Sequence, residues 1–126
     1  MKFLNKQHQS FYYNSLNHSK VKDVYHKALF YTLGTCEDTR KRIQEIYDFN
    51  TRCIHTEILE KGWQTSGSRR ACLLAFNLFN GYMSNDPCDS TPYYLFCDSN
   101  AEYYFEAIKL RYPEYTQQKQ QEYERC

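Results

Sequence analysis

The stretch Gly62–Tyr82, GWQTSGSRRACLLAFNLFNGY, decides how the chain folds. Its first part, Gly62 to Ser68, is a polar, glycine-bearing turn holding the only tryptophan. From Arg69 on it reads as the most apolar helix of the protein. At helical spacing Ala71, Cys72, Leu74, Ala75, Phe76, Leu78, Phe79 and Tyr82 cover well over half the circumference. Arg69, Arg70, Asn77 and Asn80 share the remaining strip, which only Leu73 interrupts. A helix apolar on most of its surface is one that other helices pack around. The expected fold is therefore all-α, a single compact domain of about five helices around a buried helix at 68–82.

Composition agrees. A chain of 126 residues is long enough to bury a real core and too short to need two. Only four glycines and three prolines punctuate it, and valine occurs only at Val21 and Val24. Few turn breakers and few β-branched residues favour helices over a many-stranded sheet. The net charge is +1, from 16 basic and 15 acidic residues, which removes the bulk electrostatic argument for nucleic acid or an anionic membrane. No apolar run reaches the roughly 18 residues of a spanning helix, so no membrane partner is expected. The N-terminus, MKFLNKQHQSF, lacks a secretory h-region, which places the expected site of action in the cytoplasm. Six cysteines occur, at Cys36, Cys53, Cys72, Cys88, Cys97 and Cys126. None forms a Cys-x-x-Cys pair, and Cys53-Ile-His55 would need two further ligands, so no metal is expected. Cys72, in the apolar helix, is expected to pack as a free thiol.

Outward from the central stretch, a first helix is expected from Asn5 to Asn17, with Leu4, Phe11, Tyr12 and Leu16 on one side. Ser19 reads as the N-cap of a second helix, Lys20 to Leu33, striped by Val21, Val24, Tyr25, Ala28, Leu29 and Thr32. Gly34 stands where a helix ends in a left-handed residue. Thr35-Cys-Glu-Asp38 has a capping-box pattern, opening a third helix with Cys36, Ile43, Ile46 and Tyr47 on one side and an end near Phe49-Asn50. Thr51 to Lys61 reads as mostly irregular, an extended connector followed by one helical turn. Beyond the loop Gly81 to Ser90, Thr91-Pro92 opens a short turn to Phe96. Ser99-Asn-Ala-Glu102 is a second capping box, and its helix carries Ala101, Tyr104, Phe105, Ile108 and Tyr112 at helical spacing until Pro113 ends it. The helical domain is thus 1–113, and 114–126 is a polar C-terminal helix or tail.

The turn before the central helix holds the candidate binding residues. Thr65, Ser66 and Ser68 supply hydroxyls, Gly67 admits a close backbone approach, and free N–H groups at a helix start favour an anion. Arg69 and Arg70 add guanidinium groups, and Trp63 could stack a base or sugar. The simpler reading has a hydroxyl capping the helix, Trp63 closing the core and the arginines meeting carboxylates such as Glu57 or Glu60. Neither a P-loop nor a dinucleotide fingerprint is present. His8, His18, His26 and His55 are scattered, with His26 read as a surface residue. No catalytic residue and no cofactor is expected. Lys2, Lys6, His8, Lys20, Lys22 and Lys27 read as a solvated basic face.

The run GWQTSGSRRACLLAFNLFNGY, with YDF at Tyr47–Phe49 and the later EAIKLRYPEY, resembles a family of small uncharacterised proteins from Gram-positive bacteria, their prophages and mobile elements. The likeness extends from Phe3 to Tyr115, and it implies a bacterial or phage cytoplasm and action on host machinery. Thirteen tyrosines and eight phenylalanines suit a contact surface. The expected function is a helical protein-binding protein, such as an anti-CRISPR-like inhibitor of host defence, whose partner is a larger host protein or nucleoprotein complex. A homodimer would suit the same surface. The alternative is a phosphate-, nucleotide- or nucleic-acid-binding module built on Trp63 to Arg70, with nucleic acid the less favoured ligand.

Overall fold

The computed structural model describes residues 1–116, and the expectation for 117–126 lies outside them. The described chain is mainly helical: α1 (Lys6–Ser19), α2 (Val24–Leu33), α3 (Glu37–Lys41), α4 (Ile43–Ile46), α5 (Ser66–Asn80), α6 (Pro92–Leu95), α7 (Ala101–Arg111) and α8 (Pro113–Thr116). A two-residue antiparallel pair, β1 (Tyr47–Asp48) and β2 (Cys53–Ile54), and 3-10 turns at Thr56–Glu60 and Pro87–Ser90 complete it. No helix among the described residues is long and apolar enough to cross a membrane.

The apolar stretch forms α5: Ala71, Cys72, Leu74, Ala75, Phe76 and Leu78 are buried as their pattern requires, Leu73 is buried although it interrupts the polar strip, and Phe79 and Tyr82 are only partly buried. The centre is shared with α2, which packs against α1, α5 and α7. From Ala28 to Leu33 every residue of α2 is buried. Its sequence, VYHKALFYTL, conceals this because its polar atoms are bonded internally. Thr32 Oγ1 donates to Ala28 O at 2.7 Å, and the Tyr31 hydroxyl donates to Lys2 O. His26, expected on the surface, is buried: its Nδ1 lies 2.8 Å from Asp23 Oδ1 and its Nε2 2.9 Å from the Tyr47 hydroxyl. Through these two contacts the imidazole ties α2 to β1.

Several boundaries differ from the sequence reading. Ser19 ends α1 instead of capping α2, its hydroxyl donating to Leu16 O at 2.9 Å. Lys20 adopts the left-handed cap at φ 62°, and Asp23 caps α2 by accepting from His26 N at 2.9 Å. Gly34 is right-handed, at φ −73°. It is required by proximity: a Cβ there would stand 2.6 Å from His8 Cδ2 and 3.1 Å from Phe11 Cδ1. Thr35 is buried and donates to Thr32 O at 2.7 Å, so Cys36 begins α3 without a side-chain cap. The third helix breaks at Arg42, and Tyr47 and Asp48 form β1 where helix was expected. Asp48 holds the following hairpin turn by accepting from Asn50 N at 2.8 Å. The box at Ser99 is likewise absent; Asp98 Oδ1 accepts from Asn100 N at 2.8 Å, and Asn100 precedes α7 without a side-chain cap. On α7, Tyr104 and Ala107 face the core, while Phe105 projects outward, 54% exposed.

His8, placed by sequence on a basic face, is fully buried. Nδ1 accepts from Leu4 N at 3.0 Å, so Nε2 carries the proton and donates to Tyr31 O at 2.8 Å. Burial lowers its pKa below the usual histidine value.

Candidate functional site

The turn Trp63–Arg70 is organised first by the end of a helix. Thr65 is the N-cap of α5: its Oγ1 accepts from Ser68 N at 3.1 Å, while its own N–H donates to Ser68 Oγ at 2.8 Å. This is a capping box with serine in the position usually held by Glu. Ser68 Oγ in turn donates to Gln64 Oε1 at 2.6 Å, and Gln64 Nε2 donates to Ile58 O at 3.1 Å. Ser68 is fully buried, so the hydroxyls of Thr65 and Ser68 belong to the cap. Ser66 is exposed.

The remaining residues diverge. Adjacent helical positions point about 100° apart, and Arg69 and Arg70 accordingly enter different clefts. Arg69 Nη1 donates to Asp89 Oδ2 at 2.9 Å and Nη2 lies 4.0 Å from Glu60 Oε1. Burial alone would raise the Asp89 carboxyl, but hydrogen bonds from Ser84 and Arg69 outweigh it and hold the carboxyl below its ordinary value. The cleft around this pair, about 380 Å³, is acidic, with Glu57, Glu60, Asp86 and Asp89 in its wall. Arg70 donates from Nε to Tyr94 O at 2.9 Å and lies over the Tyr94 ring, 4.6 Å from its centroid. Its Nη1 is 3.8 Å from Asp98 Oδ2. Trp63 joins neither: its ring packs against the core beneath the Arg42 guanidinium, 4.9 Å away, and its Nε1 is buried without a partner among the described residues.

Arg70 faces a second cleft of about 500 Å³, between the starts of α5 and α7. Thr65, Ser66, Gly67 and Ser68 form one wall; Cys97, Asp98, Ser99 and Asn100 form another; Thr35, Cys36 and Glu37 close the third side. The Asp98 side chain is only 8% exposed. The structure therefore joins four of the six sequence candidates, Thr65, Ser66, Ser68 and Arg70, to residues that sequence reasoning did not connect with them. The signal for the latter was indirect, two further helix-start patterns at Thr35 and Ser99, and only the tertiary fold brings them together.

The Asp23–His26–Tyr47 chain has the order of a carboxylate–imidazole–hydroxyl relay, but Tyr47 is fully buried, and burial pushes its phenol up to about 12. The rings of Phe30, Tyr47 and Phe79 surround the imidazole at centroid distances of 6.0, 5.7 and 5.1 Å. His55 lies 3.5 Å from Glu57, on the surface. Among the described residues, no three His, Cys, Asp or Glu side chains are grouped to hold a metal ion.

A family model described as a family of unknown function (DUF6075) matches residues 1–124. No curated protein and no solved structure matches the chain.

Proposed function

Because the chain belongs to DUF6075, a family whose description assigns no activity, we propose its function from its surface: a helical protein-binding protein that acts by occupying a face of a larger partner. The observation that carries this reading is the aromatic surface of α6 and α7. Phe105, 54% exposed, stacks on Phe96 at 4.6 Å between centroids, and Tyr93, one turn before Phe96, is 89% exposed. Phe105 is held by that stack yet open to water, and large exposed aromatic side chains are the usual anchors of protein interfaces. Arg69 and Arg70 support the same choice, since each already faces a carboxylate of its own chain.

The resemblance to proteins of Gram-positive bacteria and their mobile elements supplies the setting. The partner is then a host protein or nucleoprotein complex in the bacterial cytoplasm, and an anti-CRISPR-like inhibitor of host defence is the concrete instance. Affinity purification of tagged protein from nuclease-treated host lysate tests the proposal. One dominant protein at near-equal stoichiometry is expected, and it should be lost with a Tyr93→Ser/Phe105→Ser variant whose circular dichroism and melting match the wild type. Absence of a stoichiometric protein, or equal recovery by the variant, would overturn it.

A further inference from the structure

Residues 1–5 precede α1 and are fastened to the helices by a few groups. Leu4 N donates to His8 Nδ1 at 3.0 Å, and the Tyr31 hydroxyl on α2 donates to Lys2 O. The Phe3 ring lies against His8 and Tyr31, with 5.2 and 5.8 Å between centroids. Phe3 is partly buried, and the other four side chains of the segment are exposed. Lys2 Nζ also reaches Glu102 on α7 at 3.1 Å, but both side chains are more than half exposed, and such a pair contributes little. A segment held at so few points opens at a small part of the free energy that unfolds the helices beneath it.

One of these fastenings depends on a proton. The bond from Leu4 N needs the lone pair on Nδ1, while Nε2 spends its hydrogen on Tyr31 O at 2.8 Å. An imidazolium carries hydrogen on both nitrogens, so Leu4 N would meet a second donor. A positive ring is also badly placed with the segment closed: it is fully buried, stands in the first turn of α1 where the helix dipole disfavours a cation, and feels Arg40 of α3. The other charged or titratable groups around the ring and its partner Tyr31 are Lys2, Tyr12 and Tyr13, with Tyr103, Glu102 and Glu106 on α7. Groups of those kinds ordinarily change charge outside about pH 5.5–7.5, which leaves the imidazole to do so. We propose that residues 1–5 are an acid-released strap. Protonation of His8 breaks the bond from Leu4, the segment lifts with Phe3, and the seat formed by Tyr12, Tyr13 and Tyr31 opens to solvent while the helices stay folded. Once lifted away, the strap no longer shields the ring, which then holds its proton as an open histidine does, so falling pH favours the released form.

Amide exchange of Leu4, followed by NMR on the whole chain and corrected for its pH-dependent chemical rate, tests this. Protection is expected to fall about five- to tenfold between about pH 7.5 and 5.5, the span over which an open imidazole takes up its proton. At about pH 5.5 the amides of α5 should stay far better protected than Leu4. About 1 M urea should speed their exchange and leave that of Leu4 unchanged, since lifting the strap exposes little surface. His8→Gln, whose side-chain amide offers both an acceptor and a donor without titrating, should hold Leu4 protection within about twofold over the same pH range. Tyr31→Phe, which removes the bond to Lys2 O, should lower Leu4 protection about fivefold at about pH 7.5 and keep its pH dependence. Leu4 protection that is constant with pH in the wild type, that falls equally in His8→Gln, that is undiminished in Tyr31→Phe, or that responds to urea as α5 does would each overturn the strap.

Discussion

Gly34→Ala is the substitution whose cost can be worked most directly from the structure. At φ −73° and ψ −13° alanine fits the backbone, and the restricted unfolded chain should by itself yield about 0.4–1 kcal/mol of stabilisation. The obstacle is the methyl group, 2.6 Å from His8 Cδ2 where carbon atoms rest about 3.5–4.0 Å apart. Relief requires the imidazole to shift by about 1 Å. That ring is held at both nitrogens, by Leu4 N at 3.0 Å and Tyr31 O at 2.8 Å, so it cannot move without stretching a buried hydrogen bond. Overpacking costs about 1–3 kcal/mol and a lost hydrogen bond about 1 more, so the net loss should be about 2 kcal/mol. Urea denaturation followed by far-UV circular dichroism should show the midpoint falling by about 1 M with an unchanged slope. Gly62→Ala, with nothing within 4 Å, is the control and should stay within about 0.5 kcal/mol of wild type. A double-mutant cycle with His8→Ala should return a coupling of about 1 kcal/mol or more. A Gly34→Ala protein as stable as wild type, or strict additivity with His8→Ala, would refute the argument.

Other outcomes follow from the same contacts. Because burial lowers the His8 pKa, the unfolded chain takes up its proton first, near pH 6.5, and stability present above that value should fall as the pH drops through it. The loss is at most about 1.4 kcal/mol per pH unit, and comparing urea midpoints at about pH 7.5 and 5.5 should show His8→Gln losing less than wild type. Thr65→Ala should cost about 1 kcal/mol as a lost cap, and Ser68→Ala about 2, since it strands Thr65 N and Gln64 Oε1. Equal costs in denaturation would contradict the buried network. Tyr47→Phe and Tyr104→Phe should differ in sign: the first strands His26 Nε2 and destabilises by about 1–2 kcal/mol, and the second removes an unpartnered hydroxyl and stabilises by about 1, read as melting shifts.

The sequence made some of this legible and hid the rest for physical reasons. Apolar periodicity located α5, and Thr91-Pro92 located α6, because each signal lies within a few residues of what it specifies. The stripe read for α2 included Thr32 but left out His26, which looks polar in sequence; the bonds that permit its burial include one to Tyr47, 21 residues away. Capping patterns misled where a competing acceptor intervened, as when Thr35 turned inward to Thr32 O and Asp98 took the N–H of Asn100. Gly34 was read as a flexible helix end because sequence displays conformational freedom but not the approach of His8 from another helix. The turn at Trp63–Arg70 was recognisable as a helix start. Its division between two clefts was not, since Asp89 and Asp98 arrive from loops 20 and 28 residues further along the chain.

The central claim, that a partner protein is held by the aromatic surface of α6 and α7, is tested most directly by quantitative co-purification from one host lysate with three forms of the protein. Wild type and Gly67→Leu should retain the same stoichiometric partner, and Tyr93→Ser/Phe105→Ser should lose it while keeping its fold. Recovery of the partner by the aromatic variant, or of no partner by any form, would contradict the claim; its loss with Gly67→Leu alone would move the interface to the cleft at the start of α5.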